Sequence, residues 1–271
     1  MGKLTGQTAI ITGAARGLGR AYALHLAKLG ANIGVIDISL RSFQEFQAEA
    51  DQLTADTVVE ELRALGIKAI GAEADISSQQ QVFAAVQKIS NELGDVSILI
   101  CNAGGGMGPL TEGKASAMDL DIYHKVVARN VDGTVYTVTA AAPMMKKNRA
   151  GKIVTVASVG GQMANFDGTY AHYSMSKAAI IHYTKLLANE LGPYGINVNC
   201  IAPGYISTAR LKTGFAATGE EKFLRNVSLQ RFGTPEDCAY AIEFLTTNMS
   251  DYVTGHVLEV NGGTNSKVYI K

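Results

Sequence analysis

Short runs of consecutive apolar residues, many of them β-branched, alternate along the chain with longer stretches of helical periodicity. The apolar runs predict seven strands, at Thr8–Thr12, Asn32–Asp37, Lys68–Asp75, Val96–Ile100, Lys152–Ala157, Ile196–Ile201 and His256–Val260. The periodic stretches predict helices, notably over Gly17–Leu29, Ala115–Asn148, Ser174–Leu191 and Pro235–Thr247. Nearly continuous apolar strands with helices between them indicate a parallel sheet covered on both faces. Right-handed crossovers make this a doubly wound α/β fold with seven parallel strands.

The chain length fits one large domain, and we expect residues 1–271 to form a single unit. The segment Ser39–Thr54 is polar and has no strand signal. It lengthens the second crossover, either as an added helix or as a surface excursion.

Composition excludes several classes of function. The chain has 24 basic and 24 acidic residues, so nothing favours a nucleic-acid partner. Its three cysteines form no C-x-x-C pair and its five histidines are scattered, so neither disulfides nor a metal site are expected. It has neither a secretory signal pattern nor a run of 18 apolar residues, so we expect a cytoplasmic protein without a membrane partner.

The pair Tyr173 and Lys177 is the first sign of chemistry. Spacing i, i+4 in a predicted helix places both side chains on one face. A phenol has an ordinary pKa of about 10, and a neighbouring ammonium should lower it. The pair is therefore a candidate acid/base for an alcohol or a carbonyl.

A glycine-rich loop follows the first strand and opens the first helix. It runs Gly13-Ala-Ala-Arg16-Gly17-Leu18-Gly19, in the context that a dinucleotide loop requires. Glycines let the backbone approach a pyrophosphate, and the helix N-terminus supplies free N–H groups.

Asp37 ends the second strand, where a carboxylate accepts hydrogen bonds from the adenosine ribose hydroxyls. The same charge repels a 2′-phosphate, so we expect NAD rather than NADP as cofactor. Arg16 and Arg41 argue the other way, because either could reach a phosphate.

Taken in order, the motifs of this chain resemble those of the short-chain dehydrogenase/reductase family, and the resemblance runs essentially from end to end. It rests on the G-x-x-x-G-x-G loop and the Tyr173–Lys177 pair, together with Asp75-Ile76, Asn102-Ala103-Gly104, Asn130-Val-Asp-Gly133, Ser158, Pro203-Gly204 and Val253–Gly263. The resemblance implies a Rossmann-like fold and a nicotinamide cofactor.

The resemblance also implies a catalytic tetrad of Asn130, Ser158, Tyr173 and Lys177. Tyr173 would exchange the proton with the substrate oxygen, and Ser158 would hydrogen-bond that oxygen. Lys177 would lower the pKa of Tyr173 and hold the nicotinamide ribose, and Asn130 would position a water leading to solvent.

Most of the cofactor contacts that the resemblance implies lie at or just after the ends of successive strands, and Tyr173 and Lys177 lie on a helix. They are Gly13, Arg16, Gly17, Leu18, Gly19, Asp37, Asp75, Ile76, Asn102, Ala103, Gly104, Tyr173, Lys177, Pro203, Gly204, Ile206 and Thr208.

The chain departs from the usual family pattern at two places near the site. Cys101 stands where relatives usually have asparagine, and we expect a buried apolar group there rather than a nucleophile. Ser158 lies 15 positions before Tyr173, where many relatives have 13, which a longer loop explains. Tyr170 is rejected as the base, because Ser174 rather than a lysine lies four residues beyond it.

Two segments should select the substrate: the loop after Ser158 and the region 205–228. Their candidate contacts are Ser158, Met163, Phe166, Tyr170, Tyr205, Leu211 and Phe215, with Arg210 as a possible partner for an acidic group. Their apolar and aromatic bias favours a hydrophobic secondary alcohol or ketone, cyclic or aromatic. The alternative is that several of them only pack the covering segment.

The leading hypothesis is an NAD-dependent alcohol dehydrogenase. Its alternatives are an NADPH-dependent ketone or 3-oxoacyl reductase and a non-catalytic dinucleotide sensor. The resemblance further implies a homotetramer, because the corresponding long helices of relatives pair across subunits.

Overall fold

The computed structural model describes residues 2–165, 167–209, 211–212, 215 and 219–264. Phe166 and Arg210 therefore lie outside the described residues.

The strands are β1 Thr8–Thr12, β2 Asn32–Asp37, β3 Ala69–Glu73, β4 Ile98–Cys101, β5 Gly151–Val156, β6 Ile196–Pro203 and β7 Val257–Val260. The main helices are α1 Gly17–Lys28, α2 Val58–Ala64, α3 Gln79–Leu93, α4 Leu120–Val127, α5 Gly133–Asn148, α6 Ala171–Leu191 and α7 Pro235–Thr246. Shorter helical turns cover Ser42–Glu45, Gln47–Ala50, Ala128–Asp132, Val159–Gly161, Gly192–Tyr194, Glu220–Leu224 and Asn248–Ser250.

The seven strands form one sheet in the order β3-β2-β1-β4-β5-β6-β7, and every neighbouring pair is parallel. Each predicted strand is present, so the predicted architecture is confirmed. The order reverses between β1 and β4, which opens a crevice at the carboxyl ends of these strands. The glycine loop and the Asn102 motif both start from that crevice.

Both faces of the sheet carry helices. Successive strand residues point to opposite faces, so Ile11 packs with α1, α2 and α7 while Ile10 packs with α3, α5 and α6. Both isoleucines are fully buried. This double cover explains why the strands are apolar almost throughout.

The predicted helix Ala115–Asn148 is interrupted in the structure. It begins only at Leu120, because the Asp119 carboxylate accepts the N–H groups of Asp121 and Ile122 and caps the helix there. A π-helical turn at Ala128–Asp132 then separates α4 from α5. Such turns often mark functional positions, and this one contains Asn130.

The segment Ser39–Thr54 folds into two short helical turns, Ser42–Glu45 and Gln47–Ala50. Phe43 and Glu49 are buried within it. We call residues 39–54 the excursion; it packs against the glycine loop.

Among the described helices, none combines the length and apolar character that a bilayer crossing requires. Across the same residues, no group of His, Cys, Asp and Glu side chains is arranged to hold a metal ion.

Candidate active site

The glycine loop is drawn tightly onto the end of β4. A Cβ on Gly13 would lie 2.9 Å from Ala103 Cα, and Gly13 has a positive φ of 65°. A Cβ on Gly19 would collide with the Gly13 carbonyl oxygen and lie 2.7 Å from Asn102 Nδ2. Any side chain at these two positions would therefore push apart the loop, the first turn of α1 and the end of β4.

Asn102 fastens this contact. Its Nδ2 donates to the carbonyl oxygens of Thr12 and Gly13 at 3.0 and 3.1 Å. Thr12 Oγ1 in turn accepts the backbone N–H groups of Asn102 and Ala103, both at 3.0 Å. The two strand ends are thus locked together beside the free N–H groups at the start of α1.

Asp37 lies at the end of β2 and is nearly buried. Its Oδ2 accepts the backbone N–H of Ala15 at 2.9 Å, which places the carboxylate against the glycine loop. Burial raises the pKa of Asp37, while that N–H, Ser39, Ser42 and Arg16 oppose the rise.

Arg16 is held by the excursion. Its Nη2 pairs with Glu45 Oε2 at 3.0 Å, and its guanidinium lies 4.8 Å from the centre of the Phe46 ring. Arg16 Nη1 is buried without a hydrogen-bond partner among the described residues. This buried N–H group beside the glycine loop therefore has no acceptor among the described residues.

Ser158, Tyr173 and Lys177 meet where β5 ends. Lys177 is 4% exposed, and its Nζ donates to the Val156 carbonyl oxygen at 2.8 Å and lies 5.7 Å from the centre of the Tyr173 ring. The Tyr173 hydroxyl hydrogen-bonds Ser158, whose Oγ also accepts the Gly160 N–H at 3.2 Å. The longer loop after Ser158 thus still places this serine beside Tyr173.

Burial dominates the pKa values of both members of the pair. Burial raises the pKa of Tyr173 to about 12; the Ser158 hydrogen bond opposes this rise and Tyr170 adds to it. Burial also lowers the pKa of Lys177 to about 8. Desolvation is therefore the largest influence on the pKa of Tyr173 in this structure, and the lowering of that pKa by Lys177 stays a prediction.

Asn130 is fully buried in the π-helical turn. Its Nδ2 donates to the carbonyl oxygens of Val126 and Gly105, and its Oδ1 accepts the Gly105 N–H. A Cβ on Gly104 would collide with Asn130 Oδ1 and lie 3.6 Å from Lys177 Nζ. The Asn130 side chain thus fixes the loop after β4 close to Lys177.

Tyr170 stands beside Tyr173, with ring centres 5.3 Å apart. It adopts a left-handed φ of 56°, and its N–H donates to the Glu112 carbonyl oxygen at 2.7 Å. Its hydroxyl lies so close to Gly106 that a Cβ there would overlap it. His172 packs on the Tyr170 ring at 5.1 Å and hydrogen-bonds the Met107 backbone. We call the two rings, Tyr170 and His172, together with Gly106 against which Tyr170 packs, the aromatic wall.

The remaining predicted substrate contacts divide into two groups. Phe215 is buried and stacks on Phe232 with ring centres 4.5 Å apart, and it also contacts Tyr205 and Phe223. This cluster supports the covering segment, in line with the alternative that some candidates only pack it. Met163 and Leu211 are about half exposed.

The other predicted cofactor positions lie along the same sheet edge. Asp75 Oδ1 accepts the hydroxyl of Ser77 at 2.6 Å, and Ile76 packs against Gly133. The Gly204 N–H donates to the Val260 carbonyl oxygen, and the Thr208 N–H donates to that of Ile206. Ile206 and Thr208 are nearly buried, and both follow Pro203 at the end of β6.

Three contributing residues have no assigned role in the sequence analysis. In the sequence Thr12 is marked only as the last residue of the first predicted strand, and neither Glu49 nor Gly106 belongs to a motif. Glu49 Oε2 accepts the Gly17 N–H at 3.1 Å from 32 positions away. Only the polar character of the excursion pointed to Glu49, and the glycine run 104–106 alone marked Gly106.

A nicotinamide dinucleotide fits the groups present. The cradle of Gly13 and Gly19, the N-terminus of α1, the carboxylate of Asp37 and the unpartnered Arg16 donor border one crevice. Tyr173 and Lys177 stand further along the same sheet edge.

The family model described as enoyl-(acyl carrier protein) reductase matches residues 13–265. With the fold and the site geometry, this match and the relatives below establish that the chain belongs to the short-chain dehydrogenase/reductase family and is an oxidoreductase.

Three relatives illustrate the range of likeness. Cyclohexanol dehydrogenase of Rhodococcus sp. strain TK6 is 51% identical over 260 residues, covering 96% of each chain. A short-chain type dehydrogenase/reductase from Mycobacterium marinum superposes with a TM-score of 0.85 at 31% identity, covering 98% of each chain. A 7α-hydroxysteroid dehydrogenase complexed with NADH and 7-oxo glycochenodeoxycholic acid superposes with a TM-score of 0.84 at 35% identity, covering 96% of this chain and 95% of that one.

Proposed function

We propose that this chain is an NAD-dependent dehydrogenase of small, hydrophobic, cyclic secondary alcohols, which it interconverts with their ketones. The observation that carries the proposal is the meeting of Ser158, Tyr173 and Lys177 beside the aromatic wall, on the same sheet edge as the glycine loop. The 51% identity to a cyclohexanol dehydrogenase supports the substrate class.

Tyr173 is the acid/base of this proposal. Its raised pKa keeps the phenol protonated at neutral pH, so the hydroxyl is ready to give a proton to a ketone oxygen. In the opposite direction the phenolate form of Tyr173 takes the proton of the alcohol and becomes the phenol again. When bound, the nicotinamide supplies the hydride acceptor or donor.

Ser158 and Lys177 assist at the same oxygen. The Ser158 hydroxyl, already in contact with Tyr173, donates to the substrate oxygen as negative charge develops there. The ammonium of Lys177, held by the Val156 carbonyl oxygen, stabilises the phenolate and would hold a ribose hydroxyl of the bound cofactor. Asn130 fixes the loop at Gly104 and Gly105 that borders this ammonium.

Two features support NAD over NADP. Asp37 presents a carboxylate against the glycine loop, and Glu45 neutralises Arg16, which otherwise argues for a phosphate. The proposed cofactor contacts are completed by Lys177, Asp75-Ile76, Asn102-Ala103-Gly104, Pro203-Gly204, Ile206 and Thr208.

The test is reduction of NAD and of NADP by the purified protein with cyclohexanol, cyclopentanol, an open-chain secondary alcohol and a hydroxysteroid. We expect NAD-dependent turnover of the cyclic alcohols, and a loss of about 10²–10⁴-fold in kcat for Tyr173→Phe. Tyr183→Phe is the matched control, since it removes a phenol from the same helix where it packs on the core, and its turnover should match that of the unmodified protein.

Two outcomes would contradict the proposal. NADPH consumption with a 3-oxoacyl thioester, and none with cyclic ketones, would favour an oxoacyl reductase. Tight binding of NADH without turnover of any alcohol or ketone would favour a dinucleotide sensor.

A further inference from the structure

The excursion brings two carboxylates to the cofactor loop. Glu45 Oε2 accepts from Arg16 Nη2 at 3.0 Å, and Glu49 Oε2 accepts from the Gly17 N–H at 3.1 Å. Asp37 adds a third carboxylate, on the Ala15 N–H. Three acidic groups from two segments therefore surround one stretch of the loop, Ala15–Gly17.

Glu49 is only 3% exposed, although its side chain ends in a carboxylate. Burying such a group is unfavourable unless it is paired or hydrogen-bonded. One compensating contact comes from the N-terminus of α1, a helix of 12 residues whose first N–H groups carry positive potential. Glu49 thus occupies one of the places where this helix end would hold an anion of a ligand.

The next two N–H groups of the first turn, those of Leu18 and Gly19, have no acceptor one turn earlier in the helix. They continue to offer a pyrophosphate site. Glu49 instead occupies the N–H of Gly17. This group lies beside Asp37 and Arg16, on the side of the loop that borders β2.

Arg16 is the residue in this loop best suited to hold a second phosphate. Its charge is already paired with Glu45, and Phe46 covers its guanidinium. A phosphate dianion placed there would have to share Arg16 with Glu45 and approach the carboxylates of Asp37 and Glu49.

We propose that Glu45 and Glu49 are specificity-determining residues, which exclude dinucleotides with a 2′-phosphate beyond what Asp37 alone achieves. This rests on the proposed NAD preference and deepens it: the excursion is the second half of the cofactor selector. Glu45 acts by occupying Arg16, and Glu49 acts by placing a fixed negative charge on the Gly17 N–H.

The test compares equilibrium dissociation constants for NADH and NADPH in Glu45→Gln, Glu49→Gln and the double variant. The chain contains no tryptophan, so binding is followed by nicotinamide fluorescence or by calorimetry. We expect the double variant to bind NADPH about tenfold or more tightly than the unmodified protein, with NADH affinity changed by less than about threefold. Glu92→Gln is the control, because it removes one exposed carboxylate on α3 and should alter neither constant.

Glutamine keeps the size of each side chain and an oxygen that can accept the Gly17 N–H. If Glu49→Gln fails to fold, Glu45→Gln still tests the idea, since the Glu45 side chain is 58% exposed. A ratio of the NADPH and NADH dissociation constants that is unchanged in both single variants and in the double variant would overturn the inference. By contrast, equal affinity of the unmodified protein for both dinucleotides would defeat the proposed NAD preference itself.

Discussion

The side chain of Lys177 is buried, and burial disfavours its charged form. The side chain is 4% exposed, and burial lowers its pKa from an ordinary 10.5 to about 8. The folded chain therefore binds the Lys177 proton more weakly than the unfolded chain does. At neutral pH this ammonium destabilises the fold, and its retention fits a catalytic role rather than a structural one.

Replacing Lys177 with methionine should separate stability from activity. Between about pH 8 and 10.5 the unfolded chain holds more protons, so the Lys177 contribution to the unfolding free energy rises with pH there. Below pH 8 the full penalty applies, so Lys177→Met should raise the unfolding free energy at pH 7 by about 1–3 kcal/mol. The advantage should shrink as the pH approaches 10.5, and turnover should be lost.

Urea unfolding at pH 7 and pH 10 measures this difference. Lys185→Met, at an exposed position of the same helix, should give no pH-dependent change. A Lys177→Met variant less stable than the unmodified protein at pH 7, with no relative change at pH 10, would contradict the argument.

At the scale of elements, the start of α6 and the loop after β4 form one unit. The N–H groups of Tyr170 and Ala171 donate to the carbonyl oxygens of Glu112 and Gly113. These bonds hold Tyr170 in its left-handed conformation, which costs about 1–3 kcal/mol in a residue other than glycine. The unit sets the distance between the aromatic wall and Tyr173.

The contact between Gly106 and Tyr170 should therefore control activity on small rings. Gly106→Ala forces the Tyr170 ring away, because the new Cβ would overlap the hydroxyl. We expect kcat/KM for cyclohexanol to fall about tenfold or more, since a small displacement of positioning groups has effects of this size. Tyr170→Ala should instead raise activity on larger alcohols relative to cyclohexanol.

A double-variant cycle tests the mechanism of this effect. In the Tyr170→Ala background, Gly106→Ala should cost little, because the colliding group is gone. An equal loss in both backgrounds would show that Gly106 acts through something other than Tyr170. Gly192→Ala, at a site with open space for a Cβ, is the control.

At the scale of the whole molecule, α6 exposes apolar side chains on the side away from the core. Met175 and Leu186 are 49% and 55% exposed. They lie about three turns apart and so share one face of the helix. A hydrophobic face of this kind supports the tetramer that the family resemblance implies.

Leu186→Arg should disrupt that assembly. We expect light scattering after size exclusion to give a tetramer for the unmodified protein and a smaller species for the variant, because a charge is then buried in the interface. Leu65→Arg, which alters an exposed leucine just after α2, should leave the mass unchanged. A monomeric unmodified protein, or a variant of unaltered mass, would contradict the expected tetramer.

The fold and the family of this protein could be predicted from the linear sequence, as could most residues of the candidate site. Apolar periodicity sufficed for the strands because both faces of the sheet are covered. Motif spacing sufficed for the Tyr173–Lys177 pair and the glycine loop because these depend on neighbours within one helix turn or one loop. The exact helix boundaries do not follow from periodicity, because they depend on local contacts such as the Asp119 cap.

The pKa values of the site and its contacts between distant segments follow only from the three-dimensional fold. The raised pKa of Tyr173 and the lowered pKa of Lys177 come from burial, which no spacing encodes. The contact of Glu49 with Gly17 joins residues 32 positions apart, and the packing of Phe215 joins it to Phe232. Desolvation and contacts between distant segments arise only once the chain has closed on itself, whereas periodicity and loop chemistry already exist in the linear sequence.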